Sequence, residues 1–300
     1  MRHVSTNFST HAMQSNGKIR IAIQKSGRLS EESISLLGQM GLRFETYQDR
    51  LFAPCRNMPI DVLFLRDDDI PEYVRDGVAD LGIVGSNVLD ERMVRVERLL
   101  PLDFGFCSLC LAVPERGGYE SLGDLDGKRI ATSYPETLRR FLLERRVDSE
   151  IVVLGGCVEI APALKIADAV CDLVSTGSAL RTHGLTILET VARCQAVLFG
   201  RQDPPEESRR LIQRLLLRAQ AVQEARKYRY VMFNAPADAV DSMKNLLPGC
   251  KSPTIVPLAD PGFIAVHAMV IEETFWEVVE KLRDCGASDI LVAPVEKFMR

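Results

Sequence analysis

The sequence predicts an α/β protein: two similar lobes in succession, then a smaller ferredoxin-like module. Three observations carry this. Short apolar runs that read as buried strands alternate with stretches of helical period through about residue 200. Within that region a pattern recurs. Pro71 to Leu81 leads into Gly85-Ser86, and Pro162 to Leu173 leads into Gly177-Ser178. Each is a short helix, an Asp-Leu strand start and a Gly-Ser turn five residues after the Asp. The last 70 or so residues then run strand, helix, strand, strand, helix, strand, which is ferredoxin-like order.

Taken in order, residues 1–17 are polar and read as a disordered tail. The first lobe, 18–105, opens with a strand at 18–23 and a polar turn from Gln24 to Arg28. Ser30 is expected to cap the helix that follows, with Glu31 and Glu32 in its first turn and Gly41 at its end. Further strands are expected at 60–65 and 81–84, with the acidic turn Asp67-Asp68-Asp69 between them. The second lobe, 106–200, should hold strands at 106–113, 129–132, 151–154 and 173–175. Helices fit at 135–146, at 159–169 and after Gly177. The segment 201–227 is a Pro-containing linker followed by an Arg-rich helix with Leu211, Leu215 and Ala219 on one face, and 228–300 is the terminal module.

Composition narrows the function. With 300 residues, 46% hydrophobic and 26% charged, the chain is neither mainly disordered nor collagen-like. No apolar run reaches the ~18–20 residues of a membrane span, and the N-terminal stretch has no apolar signal region, so a cytoplasmic protein is expected. A net charge of −4 argues against bulk nucleic-acid binding, although 28 of the 37 basic residues are arginine, the side chain suited to bidentate phosphate capture. The eight cysteines are scattered and read as reduced, buried thiols. Cys107 and Cys110 form a CxxC, but on a strand residues three apart face opposite ways, which argues against a shared metal.

The most informative stretch is Asp172 to Leu180. A buried strand runs into Ser175-Thr176-Gly177-Ser178-Ala179 and then a helix, so successive N–H groups and hydroxyls could cup a phosphate, with Asp172 accepting from sugar hydroxyls. The same residues could simply cap the helix. The turn Gln24-Lys25-Ser26-Gly27-Arg28 repeats the logic and adds two cations for a second polyphosphate; it too could be a capping turn with solvated charges. The acidic turn at 67–69 could hold Mg²⁺, though such runs are usually solvated or cap a helix. No GxGxxG, HExxH, GxSxG or complete P-loop is present, which disfavours hydrolytic triads and protein-held zinc.

Several motifs in order carry a family resemblance: Lys25-Ser-Gly-Arg28-Leu, Arg66-Asp-Asp-Asp-Ile-Pro71, Asp80-Leu-Gly-Ile-Val-Gly85, Leu102-Asp-Phe-Gly105, Arg129-Ile-Ala-Thr-Ser-Tyr134-Pro and Asp172-Leu-Val-Ser-Thr-Gly177. Together they resemble ATP phosphoribosyltransferase, the first enzyme of histidine biosynthesis. Lys251-Ser-Pro-Thr254, Pro257-Leu-Ala and Gly286-Ala-Ser-Asp-Ile290 resemble the regulatory domain of its long form. The resemblance implies a two-lobed, periplasmic-binding-protein-like catalytic core that joins N1 of ATP to C1 of phosphoribosyl pyrophosphate and releases pyrophosphate. Mg²⁺ would ride on the pyrophosphate rather than in a protein-built cage. Ser175 to Ala179 would cradle the 5′-phosphate and Asp172 the ribose hydroxyls. Lys25 and Arg28 would meet phosphates, while Gln24, Ser26, Gly27 and Tyr134 would lie on the ATP side.

The resemblance further implies feedback inhibition by histidine, with Asn234, Thr254, Met269 and Asp289 lining its site, and assembly into dimers and hexamers. Three departures stand out: Ala179 where the family has Thr, Lys165 where Gly is common, and Ser108 where Arg is frequent. The competing expectation is a non-catalytic, two-lobed small-anion binding protein.

Overall fold

The computed structural model describes residues 18–45, 51–175, 177–247 and 252–299. The tail 1–17 and Thr176 lie outside the described residues. The chain forms two compact units, one comprising the chain up to Ile34 with Leu42–Ile212, the other Ser35–Gly41 with Gln213–Arg300.

The first unit contains two sheets. Its first lobe holds β1 (Ile19–Gln24), α1 (Arg28–Gln39), β2 (Phe52–Pro54), β3 (Ile60–Leu65), α2 (Ile70–Arg75), β4 (Leu81–Gly85), α3 (Ser86–Arg92) and β5 (Glu97–Pro101). The second holds β6 (Cys107–Pro114), β7 (Arg129–Thr132), α4 (Pro135–Arg145), β8 (Glu150–Val153), β9 (Ala169–Val174), α5 (Ser178–Thr182) and β10 (Leu185–Cys194). The chain then returns as β11 (Ala196–Gly200). The strand orders are β2-β3-β1-β4-β11-β5 and β10-β6-β9-β7-β8.

In each lobe a central strand is parallel to its two neighbours, β1 to β3 and β4, and β7 to β8 and β9. Ile19, Ile21, Ala22 and Ile23 of β1 are all buried, as a strand covered on both faces requires. An antiparallel strand that directly follows a crossing between the lobes flanks each set: β11 beside β4 and β6 beside β9. The two-lobed α/β core is therefore present, with one change. The second lobe, expected to run to residue 200, ends at β10, because the fully buried run Ala196 to Gly200 pairs into the first sheet.

Four local expectations fail. No helix forms over 159–169. A 3-10 turn spans Val158–Ile160, Pro162 supplies no N–H, and Lys165 adopts φ 59°, which ends any right-handed run. The next strand starts at Ala169 rather than 173, so Asp172 sits inside β9. Ser30 does not cap α1: the helix starts at Arg28, and Ser30 is buried with its N–H donated to the Gly27 carbonyl at 3.0 Å. Nor are all cysteines buried, since Cys157 is exposed in a left-handed turn.

The second unit contains most of α6 (Glu206–Arg226), then β12 (Tyr228–Pro236), α7 (Val240–Lys244), β13 (Thr254–Pro257), β14 (Phe263–Ile271), α8 (Phe275–Asp284) and β15 (Ser288–Pro294). The sheet order β13-β14-β12-β15 is ferredoxin-like. Val231, Phe233, Val266, Ala268 and Val270 alternate onto the face that packs with Met243, Val278 and Leu282, so period-two strands meet an apolar helix stripe.

Candidate active site

The site lies in a crevice of about 230 Å³ between the two lobes of the first unit. The first lobe contributes the start of α1 (Arg28, Leu29, Glu32), Asp67, and the β4–α3 junction (Gly85, Asn87, Val88). The crossover contributes Gly105, Phe106 and Cys107; the second lobe contributes Tyr134, Leu173 and Ser175. Apart from Leu173 inside β9 and Cys107 at the start of β6, the wall lies at or after the carboxyl ends of strands or in the crossover, where open α/β sheets bind ligands.

Local structure places each group. Lys25 leaves β1 with its N–H on the Leu65 carbonyl at 2.8 Å, and Gly27, at φ 92°, turns the chain so that Arg28 opens α1. Gly85 leaves room for the Asn87 side chain, because a Cβ there would collide with the Asn87 Oδ1. Asn87 Nδ2 donates to the Tyr134 hydroxyl across the lobes at 3.4 Å. Beside it Glu91 of α3 accepts the N–H groups of Glu136 and Thr137 at 2.8 and 2.9 Å and the Thr137 hydroxyl at 2.8 Å. A carboxylate of one lobe thus caps the first turn of α4 in the other.

Burial dominates the electrostatics. It pushes the Asp172 carboxyl up from the ordinary range; the Leu173 N–H, donated to Oδ1 at 2.8 Å, opposes this, and the nearby Glu159 charge adds to it. Burial and then the Asp172 charge raise the Tyr134 phenol, so it stays protonated as an O–H donor at neutral pH. Glu32 places one carboxylate oxygen, Oε2, in a buried position with no hydrogen-bond partner on a crevice wall. A ligand donor would relieve that cost.

Of the residues expected from the sequence, Arg28, Tyr134 and Ser175 line this crevice, and Asp172 is close enough to act on Tyr134. Gln24, Lys25, Ser26 and Gly27 form the strand-end turn next to Arg28 but do not line it. Gly177 adopts φ 72°, and Ser178 and Ala179 open α5 with exposed side chains. Glu32, Asn87, Glu91 and Phe106 were not singled out by sequence. Glu32 was visible only as a helix-start acid, and the others had no motif.

In the second unit, Asn234 Nδ2 donates to Asp289 Oδ2 at 3.0 Å, so two of the expected histidine-site residues meet. Thr254 pairs with His267, and Met269 lies four residues along β14 from the Ala265 partner of Asn234, roughly 13 Å away at strand spacing. Those four do not converge within one chain.

The family model described as ATP phosphoribosyltransferase matches residues 66–221, and that described as HisG, C-terminal domain, matches 225–297. The chain belongs to the ATP phosphoribosyltransferase family. It is an enzyme, and the family's phosphoribosyl transfer to ATP is its activity. Among solved structures, the ATP phosphoribosyl transferase (HisG:HisZ) complex from Thermotoga maritima is 27% identical, covering 69% of this chain and 98% of that one with a TM-score of 0.60. The periplasmic aliphatic sulphonate binding protein SsuA from Escherichia coli is 15% identical, covering 69% of this chain and 74% of that one with a TM-score of 0.46. In ATP phosphoribosyltransferase terms, the second unit contains the residues that match the family's C-terminal domain, together with 35–41 and the greater part of α6. Among the described residues no helix is long and apolar enough to cross a membrane.

Proposed function

We propose that the inter-lobe crevice transfers the phosphoribosyl group of phosphoribosyl pyrophosphate to N1 of the ATP adenine, the first step of histidine biosynthesis. The observation that carries this reading is the meeting of Arg28, Tyr134 and Ser175 in one crevice of a chain of this family. The C1–oxygen bond breaks with its electron pair leaving on pyrophosphate, and a C1–N1 bond forms through an oxocarbenium-like state. No protein nucleophile is required, so positioning and stabilisation of the departing charge supply the catalysis.

In this reading Ser175, Thr176, Gly177, Ser178 and Ala179 hold the 5′-phosphate, and Asp172 accepts from the ribose hydroxyls. Arg28, with Lys25 beside it, meets phosphate oxygens, and Gln24, Ser26 and Gly27 shape that side. Tyr134 donates through its hydroxyl, and Glu32 Oε2 accepts from the ligand. Ala179 brings no hydroxyl, leaving that contact to main-chain groups. Ser108, between Arg193 on β10 and Val174 on β9, brings no cation, and Lys165 offers an exposed ammonium.

Among the described residues no group of three or more His, Cys, Asp or Glu side chains is placed to hold a metal ion. In this reading Mg²⁺ arrives as part of the pyrophosphate substrate. Histidine acts as inhibitor through the second unit, and the enzyme works as a homo-oligomer, dimer to hexamer. Absorbance of the N1-substituted adenine, followed with ATP, phosphoribosyl pyrophosphate and Mg²⁺, tests the reading. Turnover is expected. A folded protein that binds phosphoribosyl pyrophosphate but yields no product would reject it.

A further inference from the structure

The two chain crossings between the lobes run side by side. The Leu102 N–H donates to the Ala196 carbonyl at 2.8 Å, and the Ala196 N–H to the Phe104 carbonyl at 3.0 Å. At the mouth of this tie, Cys107 begins β6 and Cys194 ends β10, and the two are directly opposite in the antiparallel ladder. Two irregularities earlier in that ladder, between Ile187 and Glu189 and between Thr190 and Ala192, bring it back to one-to-one pairing through Ala192–Leu109, Arg193–Ser108 and Cys194–Cys107. The Cys194 thiol donates to the Ala192 carbonyl at 4.0 Å, and each thiol is the largest single influence on the other's acidity.

Directly opposed antiparallel residues have Cα atoms about 4.5 or 5.5 Å apart, and either value lies inside the roughly 4.4–6.8 Å window of a disulfide. Cys110, three residues on, meets the Thr190 hydroxyl instead, at 3.9 Å.

We propose that Cys107 and Cys194 form a reversible disulfide that staples the two crossings and fixes the hinge between the lobes. The oxidant is a low-molecular-weight disulfide. Cys107 lines the open crevice and Cys194 is buried behind it, so the incoming reagent meets Cys107 first. The Cys107 thiolate attacks one sulfur of the reagent; the S–S bond breaks, the other sulfur departs as a thiolate, and the attacked sulfur stays on Cys107 as a mixed disulfide. Cys194 then gives up its proton and attacks the Cys107 sulfur, closing the protein disulfide and expelling the second reagent thiolate. Two protein thiols are oxidised, and one reagent disulfide is reduced to two thiols.

Its neighbour Cys194 holds the Cys107 thiol below the ordinary thiol range despite burial, while Cys107 and burial hold Cys194 high. The pair is therefore divided into a nucleophile at the surface and a resolving thiol behind it. Intracellular disulfides of this sort are transient and redox-responsive.

The test uses the full-length protein and oxidised glutathione. Thiol titration in denaturant is expected to fall from the eight cysteines of the chain to six, with non-reducing peptide mapping joining the segments of Cys107 and Cys194, and dithiothreitol restoring all eight. In Cys194→Ser the joined peptide should vanish and Cys107 should carry a glutathione adduct. Amide hydrogen exchange at 102–106 and 194–196 should slow at least about threefold on oxidation. A folded protein that keeps eight thiols, or links Cys107 to another cysteine, overturns the pairing. A bond that forms without slowing exchange at those segments overturns the staple. Neither readout depends on turnover, so failure here and failure of the proposed reaction are separate results.

Discussion

Asp168 is the counterpart of Asp80. The Asp80 carboxylate accepts the Arg20 N–H at 2.9 Å, and the Asp168 carboxylate accepts the Arg129 N–H at the same distance. The return bonds match as well: the Asp80 N–H donates to the Arg20 carbonyl at 2.9 Å, and the Asp168 N–H to the Arg129 carbonyl at 2.8 Å. Even the arginine side chains agree, reaching the Val78 and Lys165 carbonyls. Each lobe thus locks the start of its central parallel pair with one Asp. These are structural groups, so Asp168→Ala should cost about 1–3 kcal/mol. The urea midpoint should fall while KM for both substrates stays within about twofold.

This register also shows what the sequence made legible. The repeat itself was readable, but its alignment matched Asp80 with Asp172, four residues beyond the true counterpart. Ala167-Asp168-Ala169-Val170-Cys171 has no polar alternation because both faces of β9 are covered, so its buried start reads as helix. The strands Leu185–Cys194 and Ala196–Gly200 escaped because their partners, β6 and β4, lie far away in the chain. Arg28, Tyr134 and Ser175 were found because turn chemistry and motif mark them locally. Glu91 was not, because its role exists only once two lobes meet.

Asp172 carries the pH prediction. Burial raises its pKa, so the folded state binds the proton more tightly than the unfolded chain. The ionised carboxylate therefore costs stability at neutral pH, and that cost is relieved as pH falls through its raised folded-state pKa. Asp172→Asn should make the protein more stable at neutral pH while lowering kcat/KM at least about tenfold. In the wild type the acid limb of kcat/KM should lie above the ordinary carboxylate range, and the variant should lack it. Equal stability at neutral pH in urea titrations would count against the burial argument.

Glu91 joins the lobes without lining the crevice. Glu91→Ala removes acceptors from the Glu136 and Thr137 N–H groups and from the Thr137 hydroxyl. A loss of about 1–2 kcal/mol is expected from the missing cap. Because the bond fixes one lobe against the other, KM should rise by about threefold or more with a smaller change in kcat. Steady-state kinetics alongside thermal unfolding would separate the two effects.

Gly177 tests the phosphate loop through the backbone. Its φ of 72° is left-handed, and a Cβ would meet the Arg181 Nη1 at 3.2 Å. Gly177→Val must therefore shift the loop, at about 1–2 kcal/mol for an unfavourable left-handed residue. Such a shift should cut kcat/KM at least about tenfold, with the far-ultraviolet circular dichroism unchanged. Wild-type kinetics would place the 5′-phosphate elsewhere.

Asp289 carries the regulatory prediction. It adopts φ 51° at the start of β15, and its Oδ2 accepts from Asn234 at 3.0 Å and from the Ser288 hydroxyl at 3.2 Å. That leaves Oδ1 as an acceptor for an ammonium or imidazole N–H. If histidine is sensed there, Asp289→Asn should keep turnover within about twofold while raising the half-inhibitory histidine concentration at least about tenfold. That corresponds to one charge-assisted hydrogen bond. Asn234→Ala should act in the same direction and less strongly, because Asn234 only orients the carboxylate. Unaltered inhibition in Asp289→Asn, measured at saturating phosphoribosyl pyrophosphate, would remove this corner of the sheet from histidine sensing.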